Sequence, residues 1–427
     1  METDMSLASS LPSPANAGSQ QVIHLTQANA REVLSGLPRF VRMGMRIVLA
    51  LRYGVLTITT PDGQAFRIEG KEPGPVADLF VHDWRFVRMA AEGGDVGVGE
   101  AFMAGYWSSS DVTTFLELFC VNRDATVEKL QGSPLFRLAV TLRHWFNRNT
   151  RKGSQRNISA HYDLGNAFYR EWLDPSMTYS SALFDESTAS LEEAQRKKYL
   201  ALAEATGIKP GHKVLEIGCG WGGFAEFAAG EIGANVRALT ISREQYDYAR
   251  ERIFKAGLND RVEVVFQDYR DETGVYDRIA SIEMFEAVGK EYWPVYFNKV
   301  SSCLKPGGLA GLQIITIQDT MFKDYARRPD FIQRYIFPGG MLPPPGKLQE
   351  IGGRQGLKLS AERIFGQDYA RTLAEWRERF REAWPRISPL GFDERFKRLW
   401  EFYFHYCEAG FRSGNIDVRQ IVYAKAG

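Results

Sequence analysis

Short apolar segments alternate with helical patterns through the C-terminal part of the chain, and this alternation constrains the fold more than any other feature. Helical patterns carrying Phe224 and Phe227, and spanning Arg243–Lys255, separate the first three apolar segments. Strands that alternate with helices at this spacing are typical of a parallel, doubly wound sheet. The sequence therefore predicts an α/β fold with a mostly parallel sheet. The predicted strands are residues 213–217, 236–241, 262–266, 279–284 and 309–317, and a closing strand at 418–424 follows long aromatic-rich helices over 375–404.

The composition excludes several classes of site. The chain has 53 Lys or Arg and 52 Asp or Glu, and this balance argues against a general nucleic-acid-binding protein. Its four cysteines lie far apart, which excludes a disulfide framework and a thiolate zinc site and suits a reducing cytoplasm. The six histidines form no close pair, so we predict no catalytic metal. No run of about 18 apolar residues occurs, and we predict no membrane span.

Three regions are predicted, at residues 1–20, 21–150 and 151–427. The first is rich in Ser, Pro and Ala, lacks the features of a signal peptide, and is predicted to be a disordered tail. In the second, strand-like residues 46–53 and 55–58 lead into a Pro-Asp-Gly turn, which predicts a small sheet flanked by helices. The aromatic residues of this unit either pack its core or line an apolar ligand groove; they are Trp84, Phe86, Phe102, Tyr106, Trp107 and Phe115.

A basic segment joins the two larger regions. Residues 129–162 contain seven Lys or Arg and no Asp or Glu. One interpretation is a patch attracted to anionic lipid, at about 1 kcal/mol for each basic side chain near the surface. The other interpretation is a solvated helix followed by a linker.

A glycine-rich loop follows the first predicted strand of the C-terminal region. Such a loop lets the backbone turn sharply and approach a ligand at the start of a helix. Alone, it fits a dinucleotide, S-adenosylmethionine, or a turn without ligand. Two details favour S-adenosylmethionine: Glu216 stands where it can face a cationic amino group, and Thr240 ends the second strand where a nicotinamide ribose needs an acidic residue. The loop glycines are Gly218, Gly220 and Gly222.

Several ordered motifs make the C-terminal region recognisable. It resembles the cyclopropane-fatty-acyl-phospholipid synthase family, which includes mycolic acid cyclopropane synthases and fatty-acid methyltransferases. The resemblance covers about residues 155–425 and, more weakly, residues 99–107. The motifs that carry it are HYDLGN at 161–166, MTYSSA at 177–182, EIGCGWGG at 216–223, EMFEAVG at 283–289, YIFPGG at 335–340 and AGFR at 409–412.

The resemblance implies a Rossmann-like class I methyltransferase with S-adenosylmethionine as methyl donor. Its motif positions imply cofactor contacts from a Tyr-Ser pair, from the glycine loop and from the ends of the second and third strands. Independently, Asp268 follows the third strand, where it can bind an adenine amino group. The cofactor residues expected are Tyr179, Ser180, Val214, Glu216, Gly218, Gly220, Gly222, Thr240, Ile241, Gln245, Asp268, Tyr269 and Arg270.

In the family, the substrate is the cis double bond of an acyl chain, often within a membrane phospholipid. An alkene is a weak nucleophile and a sulfonium methyl group a strong electrophile, so the protein mainly has to align the two and exclude water. Methyl transfer leaves a carbocation on the chain, which aromatic faces can stabilise. A base then removes a proton: loss from the new methyl group closes a cyclopropane ring, and loss from a neighbouring carbon gives a methyl-branched alkene.

The resemblance implies that the base is a bicarbonate ion held at five positions. Three of them, Glu286, Ile315 and Tyr369, carry the family's residues, whereas Ser181 replaces a usual Cys and Gln313 replaces a usual His. Gln313 can donate a hydrogen bond but cannot become cationic near neutral pH. The sequence therefore supports a bound bicarbonate less strongly than the family does.

Three further residues are weaker candidates. Cys407 matches a position once assigned as a nucleophile in relatives, but methyl transfer to an alkene needs no covalent enzyme intermediate. His161 either orders the loop over the cofactor or acts as a base. Glu283 stands three residues before Glu286 at a strand end, and a carboxylate there is also typical of a helix start.

Together these observations predict a C-methyltransferase that uses S-adenosylmethionine on unsaturated acyl chains, with residues 21–150 handling the lipid. The contexts of Gln313 and of residues 283–286 resemble methyl-branching members, so we favour a methyl-branched product over a cyclopropane one. A small-molecule methyltransferase and a non-catalytic lipid-binding protein are remoter alternatives. We expect a cytoplasmic enzyme peripherally associated with the anionic inner face of the cell membrane, with phospholipid acyl chains and no nucleic acid as partners; a homodimer stays open.

Overall fold

The computed structural model describes residues 22–124 and 164–427 of the chain. The tail predicted at 1–20, the basic segment at 129–162 and His161 all lie outside the described residues. None of the helices within the described ranges is both long and apolar enough to cross a membrane.

The N-terminal part is built on a five-stranded sheet of order β1-β3-β2-β4-β5. Strands β2 and β3 form an antiparallel hairpin around the predicted Pro-Asp-Gly turn, and β4 returns parallel to β2. The strands are β1 (Ile23–His24), β2 (Tyr53–Thr59), β3 (Ala65–Glu69), β4 (Glu72–Val81) and β5 (Trp107–Ser108). The helices are α1 (Ala30–Val33), α2 (Arg39–Val48), α3 (Arg85–Gly93), α4 (Asp95–Met103) and α5 (Val112–Val121).

The strand predicted at residues 46–53 is wrong for most of its length, because its first residues belong to helix α2. Pro38 precedes the first turn of this helix, and Val41 and Met45, one turn apart, are both buried. Strand β2 begins only at Tyr53 and then buries every second residue. Residues 46–53 are rich in apolar residues that favour a strand locally. The buried residues of α2, however, lie on one face of a helix.

The C-terminal part contains a seven-stranded sheet of order β11-β12-β10-β9-β6-β7-β8. Strands β6 to β10 are parallel to their neighbours within this group, and β12 lies antiparallel between β10 and β11. This confirms the predicted α/β fold with a doubly wound, mostly parallel sheet. The strands are β6 (Lys213–Ile217), β7 (Asn235–Thr240), β8 (Val262–Phe266), β9 (Tyr276–Ile282), β10 (Leu304–Ile317), β11 (Leu357–Ile364) and β12 (Ile416–Lys425).

Two apolar clusters cover the two faces of this sheet. Val214 and Leu215, adjacent in β6, belong to different clusters because successive strand residues point to opposite faces. One cluster packs against α7 and α8, and the other packs against α10 and α13. The helices are α6 (Asn166–Arg170), α7 (Leu191–Thr206), α8 (Gly223–Phe227), α9 (Arg243–Lys255), α10 (Trp293–Cys303), α11 (Asp319–Tyr325), α12 (Phe331–Tyr335), α13 (Pro345–Arg354), α14 (Gly366–Ile387) and α15 (Glu394–Arg412).

Strand β9 ends earlier than predicted, and one strand of the sheet is absent from the prediction. Strand β9 ends at Ile282 rather than at residue 284, and Glu283 adopts a left-handed backbone conformation with a φ of 48°. Strand β11 is absent from the prediction because all but two of its residues are exposed, so no buried alternation marks it.

Helices α14 and α15 join the two sheets through one continuous apolar cluster. A buried polar group lies at the same interface, where Thr113 of α5 meets α15. The Thr113 Oγ1 atom is 2.7 Å from His405 Nδ1 and donates to Glu408 Oε2 at 3.1 Å. Arg377 of α14 forms an ion pair with the fully buried Glu408 carboxylate. This cluster holds α5 of the N-terminal part against α14 and α15.

Glu408→Ala is expected to lower the melting temperature by roughly 10 °C, because removing one partner of a buried ion pair costs about 3–5 kcal/mol and each kcal/mol shifts a larger domain by about 2–4 °C. Differential scanning fluorimetry measures the change. Glu251→Ala is the matched control, since the Glu251–Lys255 pair is exposed on both sides and is worth at most about 1 kcal/mol. Equal shifts in the two variants would contradict the structural role of Glu408.

Candidate active site

The candidate site lies where the strand order of the large sheet reverses. After β6 the chain continues to β7 and β8 on one side and then to β9 and β10 on the other. Doubly wound sheets bind ligands in the crevice at such a point. A continuous cavity of about 890 Å³ lies there and extends to the N-terminal sheet, at the upper end of the roughly 300–1,000 Å³ typical of small-molecule pockets.

The glycine loop after β6 forms one wall of this cavity. Gly218 and Gly220 line it, with φ angles of 82° and 53° in the left-handed region that glycine adopts most easily. A Cβ added at Gly220 would meet no atom within 4 Å and would project into open space. Gly222 and Val214 are not among the lining residues: Gly222 precedes α8 and packs closely against Ala249, and Val214 is buried inside β6.

Glu216, near the end of β6, has the chemistry to bind a cation. Its side chain is buried, and its Oε2 atom has no hydrogen-bond partner among the described residues. Burial raises the pKa of this carboxyl to about 8, although Arg252 and Lys198 act in the opposite direction. A buried carboxylate oxygen without a donor fits the ammonium group of S-adenosylmethionine, so the residues present fit the predicted cofactor.

Glu216→Gln is expected to weaken binding of S-adenosylmethionine about tenfold, because it removes a charge-assisted hydrogen bond worth about 1.5–3 kcal/mol. In the wild type, the Glu216 carboxyl, whose pKa is about 8, must lose its proton to pair with the cation. Affinity should therefore rise from pH 6.5 to pH 8, and the variant should lose this dependence. Calorimetric titration at several pH values measures both effects; an unchanged pH dependence in the variant would contradict the assignment.

The other cofactor residues predicted from sequence meet in the same cavity. Thr240 donates its hydroxyl hydrogen to Gln245 Oε1 at 3.0 Å. The Asp268 carboxylate accepts from both the backbone N–H and the guanidinium of Arg270. The predicted residues that line the cavity are Tyr179, Ser180, Glu216, Gly218, Gly220, Thr240, Ile241, Gln245, Asp268, Tyr269 and Arg270.

Lys198 is a polar residue near this site that the sequence analysis misses. It lies on α7 and is fully buried, and its Nζ atom donates to Ser180 Oγ at 2.7 Å. Burial lowers the pKa of its ammonium group to about 7, and the negative charges of Glu283, Asp174 and Glu216 oppose that shift. Its spacing from the buried residues Ala194 and Leu202 of α7 was the available signal, because positions four apart share a helix face.

Two carboxylates lie side by side where β9 and β10 end. Glu283 accepts hydrogen bonds on Oε1 from the Ser181 backbone N–H at 2.9 Å and from Gln313 Nε2 at 2.8 Å. Its Oε2 atom accepts from the Tyr369 hydroxyl at 2.7 Å. Both Glu283 and Glu286 line the cavity, together with Tyr369, whereas Ser181 and Gln313 are fully buried behind Glu283.

Glu286 is held by a single donor. Its Oε1 atom accepts from the Ile315 backbone N–H at 2.5 Å, and its Oε2 atom has no partner among the described residues. Burial, and next the negative charge of Glu283, raise the pKa of Glu286 to about 8. At pH 7 Glu286 is therefore mostly protonated.

The remaining walls are aromatic and apolar. Tyr369 stacks on Phe411 with ring centroids 4.4 Å apart, and Tyr179 donates to the Tyr403 hydroxyl at 2.9 Å. Cys407 also lines the cavity, and burial raises the pKa of its thiol well above the ordinary value, so it stays neutral and weakly nucleophilic. Within the described residues, no group of His, Cys, Asp or Glu could hold a metal ion.

The cavity continues between the catalytic part and the N-terminal sheet. There its walls come from one face of α2 and one face of α3, with side chains such as Met45, Val48 and Val87. Six aromatic residues of the N-terminal part were predicted either to pack its core or to line an apolar groove. Two of them, Phe86 and Phe115, are buried in the core and also line this cavity. The cofactor loop, the carboxylate pair and an apolar channel thus share one space.

Comparison with known proteins identifies the family of this chain. A profile of the mycolic acid cyclopropane synthetase family matches residues 149–421. Tuberculostearic acid methyltransferase UfaA1 of Mycobacterium tuberculosis is 39% identical over 358 residues, which cover 82% of this chain and 83% of that protein. The cyclopropane-fatty-acyl-phospholipid synthase of Escherichia coli is 36% identical over 358 residues, which cover 84% of this chain and 90% of that protein.

Solved structures agree with the sequence relatives. The cyclopropane synthase MmaA2 from Mycobacterium tuberculosis is 30% identical, with a TM-score of 0.60, covering 66% of this chain and 99% of that chain. The mycolic acid cyclopropane synthase CmaA1 complexed with SAH and CTAB is also 30% identical, with a TM-score of 0.60, covering 64% of this chain and 98% of that chain. The methyl donor is therefore S-adenosylmethionine, and the chain belongs to the mycolic acid cyclopropane synthetase family of fatty acid methyltransferases and cyclopropane synthases.

Proposed function

We propose that this enzyme methylates the cis double bond of an unsaturated acyl chain in a membrane phospholipid and forms a methyl-branched product. The observation that carries the proposal is the continuous cavity, which joins the cofactor loop and the carboxylate pair to an apolar channel between α2 and α3. A soluble small-molecule methyltransferase would need no such channel. A non-catalytic lipid-binding protein would need neither the Glu216 carboxylate nor the carboxylate pair.

The chain's own residues supply alignment and an environment for positive charge. S-adenosylmethionine supplies a methyl group that is electrophilic enough to react with an alkene without a metal. The buried cavity excludes water, and the rings of Tyr179, Phe337 and Tyr403 line its walls. Aromatic faces attract a cation, more strongly where water is absent. A carbocation formed on the acyl chain would therefore be stabilised until a base removes a proton.

The methyl-branched product is favoured by two residues and by one relative. Gln313 stands where the family usually has a His, and Glu283 fills the space between Gln313 and Tyr369. UfaA1, a relative over most of its length, is named as a tuberculostearic acid methyltransferase. The second candidate product is a cyclopropane, because the Escherichia coli relative, at similar coverage, is named as a cyclopropane-fatty-acyl-phospholipid synthase.

Expression in a host without its own cyclopropane synthase tests both candidates. Chromatography and mass spectrometry of the host's fatty acids should show a species that has gained one carbon. A product that keeps a double bond supports methyl branching, whereas a product with a ring and no double bond supports the second candidate. Folded protein that binds S-adenosylmethionine but modifies no lipid would overturn the acyl-chain function.

We further propose that the enzyme docks on an anionic membrane through helix α2, on the cytoplasmic face. Phe40 and Met43 expose 42% and 57% of their surface on this helix, and Arg39, Arg42 and Arg46 accompany them. A helix that presents basic and large apolar side chains together is typical of the membrane interface. Because other residues of α2 line the apolar channel, an acyl chain would enter near this surface.

Replacing Phe40 and Met43 together by serine is expected to weaken binding to vesicles of oleoyl phosphatidylglycerol about tenfold or more, because burial of each large apolar side chain contributes about 1.5–3 kcal/mol. Vesicle sedimentation measures the binding. Phe254→Ser is the matched control, since Phe254 is 72% exposed on α9. A control that loses as much vesicle binding as the double variant would contradict docking through α2.

A further inference from the structure

The hydrogen-bond donors expected to hold bicarbonate already hold carboxylates of the protein. Of the five positions that the resemblance implies, the Ser181 N–H, the Gln313 amide and the Tyr369 hydroxyl all donate to Glu283. The fourth donor, the Ile315 N–H, binds Glu286. The Glu283 carboxylate also separates Ser181 and Gln313 from the cavity. The residues present therefore do not fit a bicarbonate ion.

We infer that the Glu283 carboxylate is the enzyme's own base, occupying the place of a bound bicarbonate and removing the proton after methyl transfer. This inference rests on the proposed function. A carboxylate and bicarbonate present the same planar pair of anionic oxygens to hydrogen-bond donors. Glu283 uses three of about four acceptor positions, and the remaining position, on Oε2, is left for a proton from the substrate.

The backbone of Glu283 supports this role independently. Its φ of 48° lies in the left-handed region, and Met177 is the other non-glycine residue with positive φ within the described ranges. This conformation costs an ordinary side chain about 1–2 kcal/mol, and such residues cluster at active sites. Glycine would adopt it without strain, so a glutamate here is held at the expense of stability.

The electrostatics decide which carboxylate of the pair acts as base. Burial raises the pKa of Glu283, but its three hydrogen-bond donors and the nearby positive charge of Lys198 oppose that shift and favour its ionised form. Glu286 has one donor and faces the negative charge of Glu283, which favours its protonated form. Glu283 therefore accepts the proton, while Glu286 stays neutral.

The reaction balances with this one base. The alkene's π electrons form a bond to the methyl carbon, sulfur keeps the electrons of the broken S–CH₃ bond, and the positive charge moves to the neighbouring chain carbon. Glu283 then takes a proton, and the electrons of that C–H bond form either a new double bond or the third bond of a ring. The neutral Glu283 returns its proton to water after the product leaves.

The first test needs no lipid substrate. Binding of ¹³C-labelled bicarbonate is measured by NMR line broadening for the wild type, Glu283→Gly and Glu283→Gln, each loaded with S-adenosylhomocysteine. We expect binding to Glu283→Gly alone, because that variant empties the site and relieves the backbone strain. Bicarbonate binding to the wild type, or no binding to Glu283→Gly that still binds the nucleoside, would overturn the inference.

The second test measures turnover on vesicles of oleoyl phosphatidylglycerol in buffer freed of carbon dioxide. A general base contributes about 10²–10⁴-fold, so Glu283→Gly and Glu283→Gln should each lose at least about 100-fold. Added bicarbonate should restore at least tenfold in Glu283→Gly and nothing in Glu283→Gln, and should leave the wild type unchanged. Wild-type activity that requires bicarbonate would overturn the inference. A wild type inactive on every unsaturated phospholipid would instead overturn the proposed function.

Discussion

Ala90→Trp is expected to reduce turnover of long unsaturated acyl chains by about 100-fold while binding of S-adenosylmethionine stays unchanged. Ala90 lies on α3, and it lines the part of the cavity next to the N-terminal sheet. Val87, Ala91 and Gly94 line the cavity beside it, at spacings of three and four residues that place them on one helix face. An indole group on that face would occupy the apolar channel.

The size of the effect follows from the need for alignment. The double bond reacts only when it reaches the methyl group, and a displacement of about 1 Å in an enzyme can lower the rate about 100-fold. A chain whose end is obstructed cannot advance far enough into the cavity. Chains with fewer carbons beyond the double bond should be affected less, because they need less of the channel.

Comparison of kcat/KM for phospholipids of different chain length measures this effect. Glu92→Trp is the matched control, because Glu92 lies on the exposed face of the same helix and forms a solvent-exposed pair with Arg88. Calorimetric titration with S-adenosylhomocysteine reports whether the cofactor site is intact. Equal loss of activity for short and long chains, with the nucleoside still bound, would contradict a channel between α2 and α3.

The large sheet and the cofactor loop could be predicted because their signals are local. Each strand from β6 to β10 contains a short apolar run, Glu216 lies near the end of β6, and the loop glycines follow that strand directly. The carboxyl ends of parallel strands meet at one edge of a sheet, so residues far apart in sequence are brought together by topology alone. For the same reason Thr240, Asp268 and Glu286 could be assigned to the site before the structure was known.

The N-terminal channel and the carboxylate network depend on contacts between distant residues. The segment at 46–53 has the composition of a strand, but its first residues belong to the end of α2, whose buried face packs in the N-terminal core. The charged residues next to Lys198 in the sequence are typical of an exposed helix face, and its burial depends on how α7 packs. Position 313 could be assigned to the base site from the resemblance. Its partner Glu283 could not, because only the left-handed turn after β9 places the Glu283 carboxylate next to the groups that donate hydrogen bonds to it.

Tyr369→Phe is expected to lower turnover at pH 7 by about 10- to 100-fold and to move the acid limb of the pH–rate profile to higher pH. The Tyr369 hydroxyl donates to Glu283 Oε2 at 2.7 Å. Burial raises the pKa of Glu283 above its ordinary value, whereas this hydrogen bond, Lys198 and Gln313 lower it. A hydrogen bond to a charged group is worth about 1.5–3 kcal/mol, so its loss raises the pKa of Glu283 further.

The sign follows from which form of Glu283 acts as base. The ionised form is active, so activity is present above its pKa and is lost as the pH falls through it. Raising that pKa leaves less ionised base at pH 7, and the variant should recover most of its activity at high pH, because the ring of residue 369 still stacks on Phe411. Tyr325→Phe should leave the acid limb in place, since that hydroxyl accepts from the Leu342 N–H instead of binding a carboxylate. An acid limb that stays at the wild-type pH in Tyr369→Phe would show that the ionisation of Glu283 does not control the reaction.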